Sequence, residues 1–176
     1  QSDTIQSMLA TVNSAALYGI DALPVTVELD LGTGFPAFNI VGLPDTAVQE
    51  SKERVRAAIR NAGLSFPTNH RILINLAPAD VKKSGPLYDL PIAVALLKAY
   101  VPLEADITSA LFVGELSLDG AVRPVHGILP IAIFAERAGI RTLFVAKNNA
   151  AEAAYVAGVS VVPVATLTDL VKHLTN

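Results

Sequence analysis

The sequence predicts a single domain of the α/β or α+β class, with helices packed around a mixed sheet. Its 176 residues are 52% hydrophobic and 16% charged, the apolar content of a chain that buries a sizeable core. Helical and strand periodicities both occur, and they do not alternate strictly. The charge sum is 13 − 16 = −3, which gives no strong positive field for nucleic acid. Cysteine is absent, which excludes disulfides and thiol catalysis.

Alternation of apolar and polar residues defines the first elements. Val25, Val27 and Leu29 alternate with polar neighbours, which predicts a half-buried strand over residues 24–31. Asp45 is predicted to cap the clearest helix, and Gly63 to end it. The elements predicted here are strands at 10–17, 24–31, 37–41 and 71–76, a Gly-Thr-Gly turn at 32–34, and a helix at 44–62.

The second half of the chain predicts shorter helices and strands. Asp89 is expected to cap a second helix with Pro91 in its first turn, where a missing N–H costs little. The dipeptide Asp119-Gly120 is a strong turn signal and predicts a hairpin across 110–125. Thr166 is predicted to cap the last helix, with Asp169 as its partner. The remaining predicted elements are a helix at 128–138, a strand at 142–145, a helix at 149–157 and a strand at 159–164.

A loop over residues 77–88 is the first candidate functional segment. It follows a predicted buried strand and precedes a helix, a geometry that favours anions. Lys82, Lys83, Ser84 and Gly85 are the candidate contacts for an anion, DNA or a partner protein. The alternative, which the sequence alone favours, is a solvated connection with two exposed lysines.

A basic stripe on the first predicted helix is the second candidate. Lys52, Arg56 and Arg60 recur every four residues, a spacing that places them on one face and suits phosphate contacts. The favoured alternative is a solvated face on which Glu50 pairs with Arg54, because glutamates interleave with the basic residues.

Nucleotide and metal sites are not indicated. No window matches the G-x-x-x-x-G-K-[ST] phosphate loop or G-x-G-x-x-G, so no nucleotide cofactor is expected in this segment. His70, His126 and His173 are isolated from one another, and no metal site is predicted. No apolar run approaches the length of about 18 residues that a membrane span needs.

Four motifs carry a resemblance to a known family. VGLPDTAVQES (41–51), NLAPAD (75–80), YDLPIA (88–93) and GELSLDGAVRP (114–124) resemble the N-terminal domain of the ComM/YifB family of magnesium chelatase-like AAA+ ATPases. The resemblance covers nearly all of residues 8–176. It implies a Lon-protease-like fold, shared with the Lon proteolytic domain and the RadA C-terminal domain.

The resemblance also implies that the protease chemistry is lost. Lon uses a serine–lysine dyad, and setting its motifs against this sequence places Leu87 at the serine and Leu129 at the lysine. We therefore expect a non-catalytic domain in which Leu87 and Leu129 lie together and are buried. Two alternatives stay open: an active serine peptidase that pairs Ser84 or Ser117 with Lys82 or Lys83, and a free-standing anion- or nucleotide-binding domain.

The family further implies a larger parent protein. An AAA+ ATPase domain using ATP and Mg is expected beyond Asn176, in a homo-hexameric DNA motor for branch migration and recombination during natural transformation. The expected partners are that AAA+ domain, neighbouring subunits and DNA, in the cytoplasm and without a membrane. Met8 is interpreted as the native start, and residues 1–7 as an added leader.

Overall fold

A seven-stranded mixed sheet organises the chain, which the computed structural model describes over residues 8–175. The predicted start at Met8 concerns residues 1–7 and lies outside that range. The strands are β1 (Met8–Tyr18), β2 (Asp21–Gly32), β3 (Ala37–Val41), β4 (Arg71–Ala77), β5 (Ala110–Phe112), β6 (Glu115–Leu116), β7 (Val122–Arg123), β8 (Thr142–Ala146) and β9 (Ser160–Val164). The helices are α1 (Thr46–Asn61), α2 (Asp89–Lys98), α3 (Ile128–Arg137), α4 (Ala150–Ala153) and α5 (Leu167–Thr175).

The sheet joins an antiparallel half to a parallel half. Its order is β3-β4-β2-β1-β5-β8-β9. β1 and β2 form a long hairpin in register from Met8 opposite Leu31 to Tyr18 opposite Asp21, and β4 extends it antiparallel to β2. The pairs β3–β4, β1–β5, β5–β8 and β8–β9 are parallel. The predicted α/β fold with a mixed sheet is confirmed.

Local sequence signals account for most of these elements. In β2 the alternating residues Val25, Val27 and Leu29 are buried, as the period of two requires. The Asp45 side chain accepts a hydrogen bond from the Val48 backbone N–H at 2.9 Å and so caps α1. At α5 the predicted capping pair forms. Thr166 Oγ1 accepts from the backbone N–H of Asp169 and donates to its carboxylate.

Three predicted features differ from the structure. Residues 110–125 do not form one hairpin: β5 joins the main sheet, and only β6 and β7 pair across the Asp119-Gly120 turn. The helix predicted at 149–157 is only α4, preceded by a 3₁₀ turn at Lys147–Asn149. Asp89 does not cap α2, because the chain enters the helix from a 3₁₀ turn at Pro86–Tyr88 and the Asp89 side chain points into the core.

A buried ion pair takes the place of the expected cap. The Asp89 carboxylate is fully buried and accepts hydrogen bonds from Arg54 Nε at 2.6 Å, from Arg54 Nη2 at 3.1 Å and from the Leu116 backbone N–H at 3.1 Å. The Ser51 hydroxyl donates to it as well. Burial raises the pKa of Asp89, and the hydrogen bonds from Arg54 and Ser51 oppose that rise. One carboxylate thus joins α1, α2 and β6.

Replacing Asp89 by alanine is expected to lower the free energy of unfolding by about 3–5 kcal/mol, because Arg54 loses its partner while two further donors lose their acceptor. Urea denaturation followed by circular dichroism measures the change. Glu50→Ala is the matched control. Glu50 meets the same guanidinium at 3.7 Å but is largely exposed, so its loss is expected to cost below about 1 kcal/mol. Equal losses for the two variants would contradict a dominant role for the buried pair.

Candidate functional site: the Leu87 cleft and the basic residues

Leu87, which the motif resemblance sets against the Lon nucleophile, lines a largely apolar cleft. The cleft has a volume of about 320 Å³, and Leu87 is only 5% exposed. Backbone hydrogen bonds hold this position, because Gly114 N donates to Leu87 O and Leu90 N donates to Gly114 O, both at 3.0 Å. The lining residues are Leu17, Ser84, Gly85, Pro86, Leu87, Glu115, Pro124, Val125 and His126.

The buried side-chain amide of Asn149 holds Val125, one of the residues that line this cleft. Asn149 Oδ1 accepts from the Val125 backbone N–H at 2.9 Å, and Asn149 Nδ2 donates to Val125 O at 3.0 Å. The paired hydrogen bonds satisfy the buried amide and hold the strand-like segment that leads into α3. Neither Leu87 nor Val125 offers a group that attacks a carbonyl or accepts a proton. These two cleft residues therefore supply no reacting atoms.

Leu129 departs from the expectation that both dyad positions are buried. Its side chain is 38% exposed, and it does not line the Leu87 cleft. The buried face of α3 follows the helical repeat through Ile128, Ile131, Ala132 and Ala135, and Leu129 lies off that face. Its backbone N–H donates to Glu152 Oε1 at 3.0 Å, which links α3 to α4. The prediction is correct for the burial of Leu87 and wrong for Leu129.

Lys83 is the second correction, because the structure buries the lysine that the sequence places in a solvated loop. Its Nζ donates to Gly42 O at 2.8 Å and to Pro78 O. Its backbone is also paired, with Lys83 N donating to Leu43 O at 3.0 Å and Asp45 N donating to Lys83 O at 2.9 Å. Burial lowers the pKa of Lys83. Lys83 therefore joins the β3–α1 turn to the loop after β4 and is unavailable to DNA.

The VGLPD motif has a structural explanation at the same place. Gly42 has φ +101°, and a Cβ there would lie 2.2 Å from the backbone oxygen of Leu76, so only glycine fits. This close approach brings the Gly42 carbonyl to Lys83. The capping residue Asp45 reaches the same loop through its second oxygen, which accepts from Gly85 N at 3.2 Å. The half-buried Gly85 is thus part of the loop's support, while Lys82 and Ser84 remain exposed.

A serine–lysine pair is not formed within residues 8–175. Ser117 Oγ donates to the Asp119 carboxylate, and Lys83 Nζ is held by two carbonyl oxygens. Ser84 and Lys82 are exposed neighbours of Lys83 with no side-chain hydrogen bond to each other in the described part. The pairings required by the peptidase alternative are therefore not seen here.

The basic stripe on α1 divides into residues with different environments. Arg56 is partly buried, with its guanidinium 5.6 Å from the centre of the Phe66 ring, and Arg60 is exposed. Arg56 and Arg60 line a second cleft, whereas Lys52 does not. The predicted Glu50–Arg54 pair forms at 3.7 Å, but Arg54 has Asp89 as its closer partner. The face is therefore not the uniformly solvated one that the sequence favours.

Neither a metal centre nor a membrane-spanning helix is present in residues 8–175. Within this range, no group of three or more His, Asp or Glu side chains is arranged to hold a metal ion. No helix in that range is long and apolar enough to cross a membrane. The second cleft was not predicted from the sequence, because Phe66, Thr68 and His70 lie in the irregular connection between α1 and β4, where neither periodicity nor a motif marks them.

Comparison with known proteins identifies the family. Residues 27–149 match the family model described as subunit ChlI of Mg-chelatase. The chain belongs to this family. The ChlI-family chain is 50% identical over 145 residues to YifB of Salmonella typhimurium, covering 82% of this chain and 28% of that protein. It is 44% identical over 167 residues to competence protein ComM of Haemophilus influenzae, covering 94% and 32%. The predicted resemblance to ComM and YifB is confirmed.

The link to Lon is also present at lower identity. The ChlI-family chain is 23% identical to Lon protease 2 of Bacillus subtilis over 188 aligned positions, which cover 97% of this chain and 34% of that protein. The chain thus spans about a third, or slightly less, of the length of these curated relatives.

Lys83→Met is expected to lower the free energy of unfolding by about 2 kcal/mol or more, because two buried carbonyl oxygens lose their donor. Lys82→Met is the matched control and is expected to change stability by less than about 0.5 kcal/mol, since Lys82 is an exposed neighbour in the same loop. Denaturant titration of both variants makes the comparison. Equal stability of the two variants would show that the Lys83 contacts add nothing.

Truncation of the two dyad positions is expected to give unequal losses. Leu87→Ala removes a buried side chain and should cost about 2–5 kcal/mol, the range for core leucines. Leu129→Ala removes a side chain that is 38% exposed and should cost below about 1.5 kcal/mol. Thermal and urea unfolding report both values. A larger loss at Leu129 than at Leu87 would mean that the assignment of these two environments is wrong.

Proposed function

We propose that this chain is a non-catalytic Lon-like domain of a magnesium chelatase-like AAA+ ATPase, and that it assists ring assembly and guides DNA. The observation that carries the proposal is the burial of Leu87, the aliphatic side chain that the motif resemblance sets against the Lon nucleophile. Leucine has no lone pair with which to attack a carbonyl, so the Lon mechanism cannot run at this position. The Leu87 cleft then serves as a contact surface.

The larger protein supplies the chemistry in this proposal. ATP and Mg bind in an AAA+ domain outside this chain, and that domain and neighbouring subunits of a hexamer are the partners of the present one. The similarity to a protein named for competence supports a role in recombination during natural transformation. The proposed location is the cytoplasm, where DNA and ATP are both present.

DNA guidance by such a domain depends on repetition around the ring. The chain carries a net charge of −3, and burial removes Lys83 from the basic residues available to phosphate. The exposed Lys82 is the remaining lysine of the loop. One copy making two to four phosphate contacts binds weakly, at about 10⁻⁴ M or worse, but a ring presents the contacts together and multiplies their effect. The proposed DNA path therefore passes Lys82 in several subunits.

The full-length protein tests both parts of this proposal. It is expected to remain unlabelled by a serine-reactive fluorophosphonate, and to lose affinity for forked DNA by about threefold or more on Lys82→Ala at about 150 mM salt. Lys172→Ala, at an exposed lysine on α5, is the control and should leave affinity unchanged. Fluorescence anisotropy measures binding. A fluorophosphonate adduct on a serine of this domain overturns the non-catalytic part, and equal affinities of the two variants overturn the DNA path.

A further inference from the structure

We propose that the second cleft, at the end of α1, binds a phosphomonoester, the terminal phosphate of a nucleotide or of a nucleic-acid strand. The cleft has a volume of about 290 Å³ and lies between the start of β3, the last turns of α1 and the segment leading into β4. Arg56, Arg60, Thr68 and His70 bring polar groups to it, and Phe38 and Phe66 form its aromatic side. The proposal goes beyond the guiding role above and does not depend on ring assembly.

Two residues that line this cleft each have a buried nitrogen atom without a partner. Arg56 Nε and His70 Nδ1 are inaccessible and have no hydrogen-bond partner among the described residues. Leaving a buried polar atom unsatisfied costs about 1–3 kcal/mol, and more for a charged group. These two residues line the cleft and have hydrogen-bonding capacity that a phosphate can use once the two side chains turn towards it. The oxygens of a single phosphate group can accept from more than one donor.

The charge of the cleft points to a dianion. Within residues 8–175, neither Arg56 nor Arg60 forms an ion pair with a carboxylate, and no acidic residue lines the cleft. Glu53, three residues before Arg56 on the same helix, is exposed and makes no such pair. By contrast, Arg54 is fully compensated by Asp89 and Glu50. A phosphomonoester carries a charge of about −1.5 to −2 at pH 7, which balances two guanidinium groups better than the single charge of a phosphodiester.

The aromatic side of the cleft positions one of these cations. The Arg56 guanidinium lies over the Phe66 ring, whose centre is 5.6 Å away. Phe66 in turn contacts Phe38, with ring centres 6.1 Å apart and planes inclined at 38°. This packing restrains the guanidinium before a ligand arrives, so less conformational entropy is lost on binding. Arg60, one turn further along α1, lines the same cleft and is exposed, so its guanidinium is available as a second donor.

Nuclear magnetic resonance of the ¹⁵N-labelled chain tests the proposal with three probes. These are adenosine monophosphate, an oligothymidylate with a 5′-phosphate, and the same oligothymidylate with a 5′-hydroxyl. The Arg56 and Arg60 Nε–H signals and the His70 ring signals are expected to shift with the phosphomonoester probes and not with the 5′-hydroxyl strand. Shifts with the monophosphate alone assign a free nucleotide as the source, and shifts with the phosphorylated strand alone assign a strand end. Both support the site.

Three variants separate the cleft from general charge effects. Arg60→Gln and Arg56→Lys are each expected to weaken phosphomonoester binding about tenfold or more, the second because lysine keeps the charge but has no Nε–H donor at that position. Lys52→Gln removes a charge from the same helix outside the cleft and should change affinity by less than about twofold. Arg60 is exposed, so Arg60→Gln is expected to fold normally. Equal weakening by Lys52→Gln, or equal binding of the two oligothymidylates, overturns the proposal.

Discussion

The Asp89 carboxylate is the constraint on which the arrangement around the Leu87 cleft depends. It is fully buried, and it accepts hydrogen bonds from two side chains of α1 and from the backbone of β6. A charge removed from water is tolerable only when its lone pairs are matched by donors in good geometry, so these elements have little freedom relative to one another. Leu87 precedes Asp89 by two residues, and its own carbonyl accepts from Gly114 N, so the chain is held on both sides of this position.

A second buried charge supports the other end of the same loop. Lys83 links the β3–α1 turn to the loop after β4, and its ammonium group donates to two carbonyl oxygens. Its backbone is paired as well, so the segment from Lys83 to Leu87 is held at both ends. The residue at the end of this segment is a leucine, and its support from both sides suits the rigid contact surface proposed above.

Burial of charged residues also decides where the domain can meet an anion. Arg54 and Lys83 are committed to contacts inside the fold. Among the other basic residues of α1 and of the loop after β4, Lys82 and Arg60 are exposed, and Lys52 and Arg56 are partly buried. These remaining basic residues do not form one continuous stripe. Arg56 and Arg60 share a cleft with aromatic residues, whereas Lys82 lies beside a different cleft shared with Ser84 and Leu17. The candidate contact residues therefore lie on two separate surfaces. One is the basic and aromatic cleft with Arg56 and Arg60, and the other is the more apolar cleft beside Lys82.

Features that depend on neighbouring residues were determined by the sequence itself. The alternation in β2, the Asp45 cap of α1 and the Thr166–Asp169 pair of α5 were predicted and are present, because period, capping and turn chemistry act over a few residues. The four motifs also predicted the family, and their resemblance to Lon predicted that Leu87 is buried.

Only the tertiary structure decided which charged side chains are buried and which groups they pair with. Arg54 meets Asp89 across 35 residues, and Lys83 reaches Gly42 across 41, distances over which no local pattern reports a contact. Leu129 is exposed because it does not lie on the buried face of α3. Which face of a helix is buried depends on the elements that the helix packs against. The cleft with Arg56 and His70 forms only when the end of α1 meets the segment before β4. Local sequence sets which element forms, whereas desolvation and pairing of its charged side chains depend on chain segments that only folding brings together.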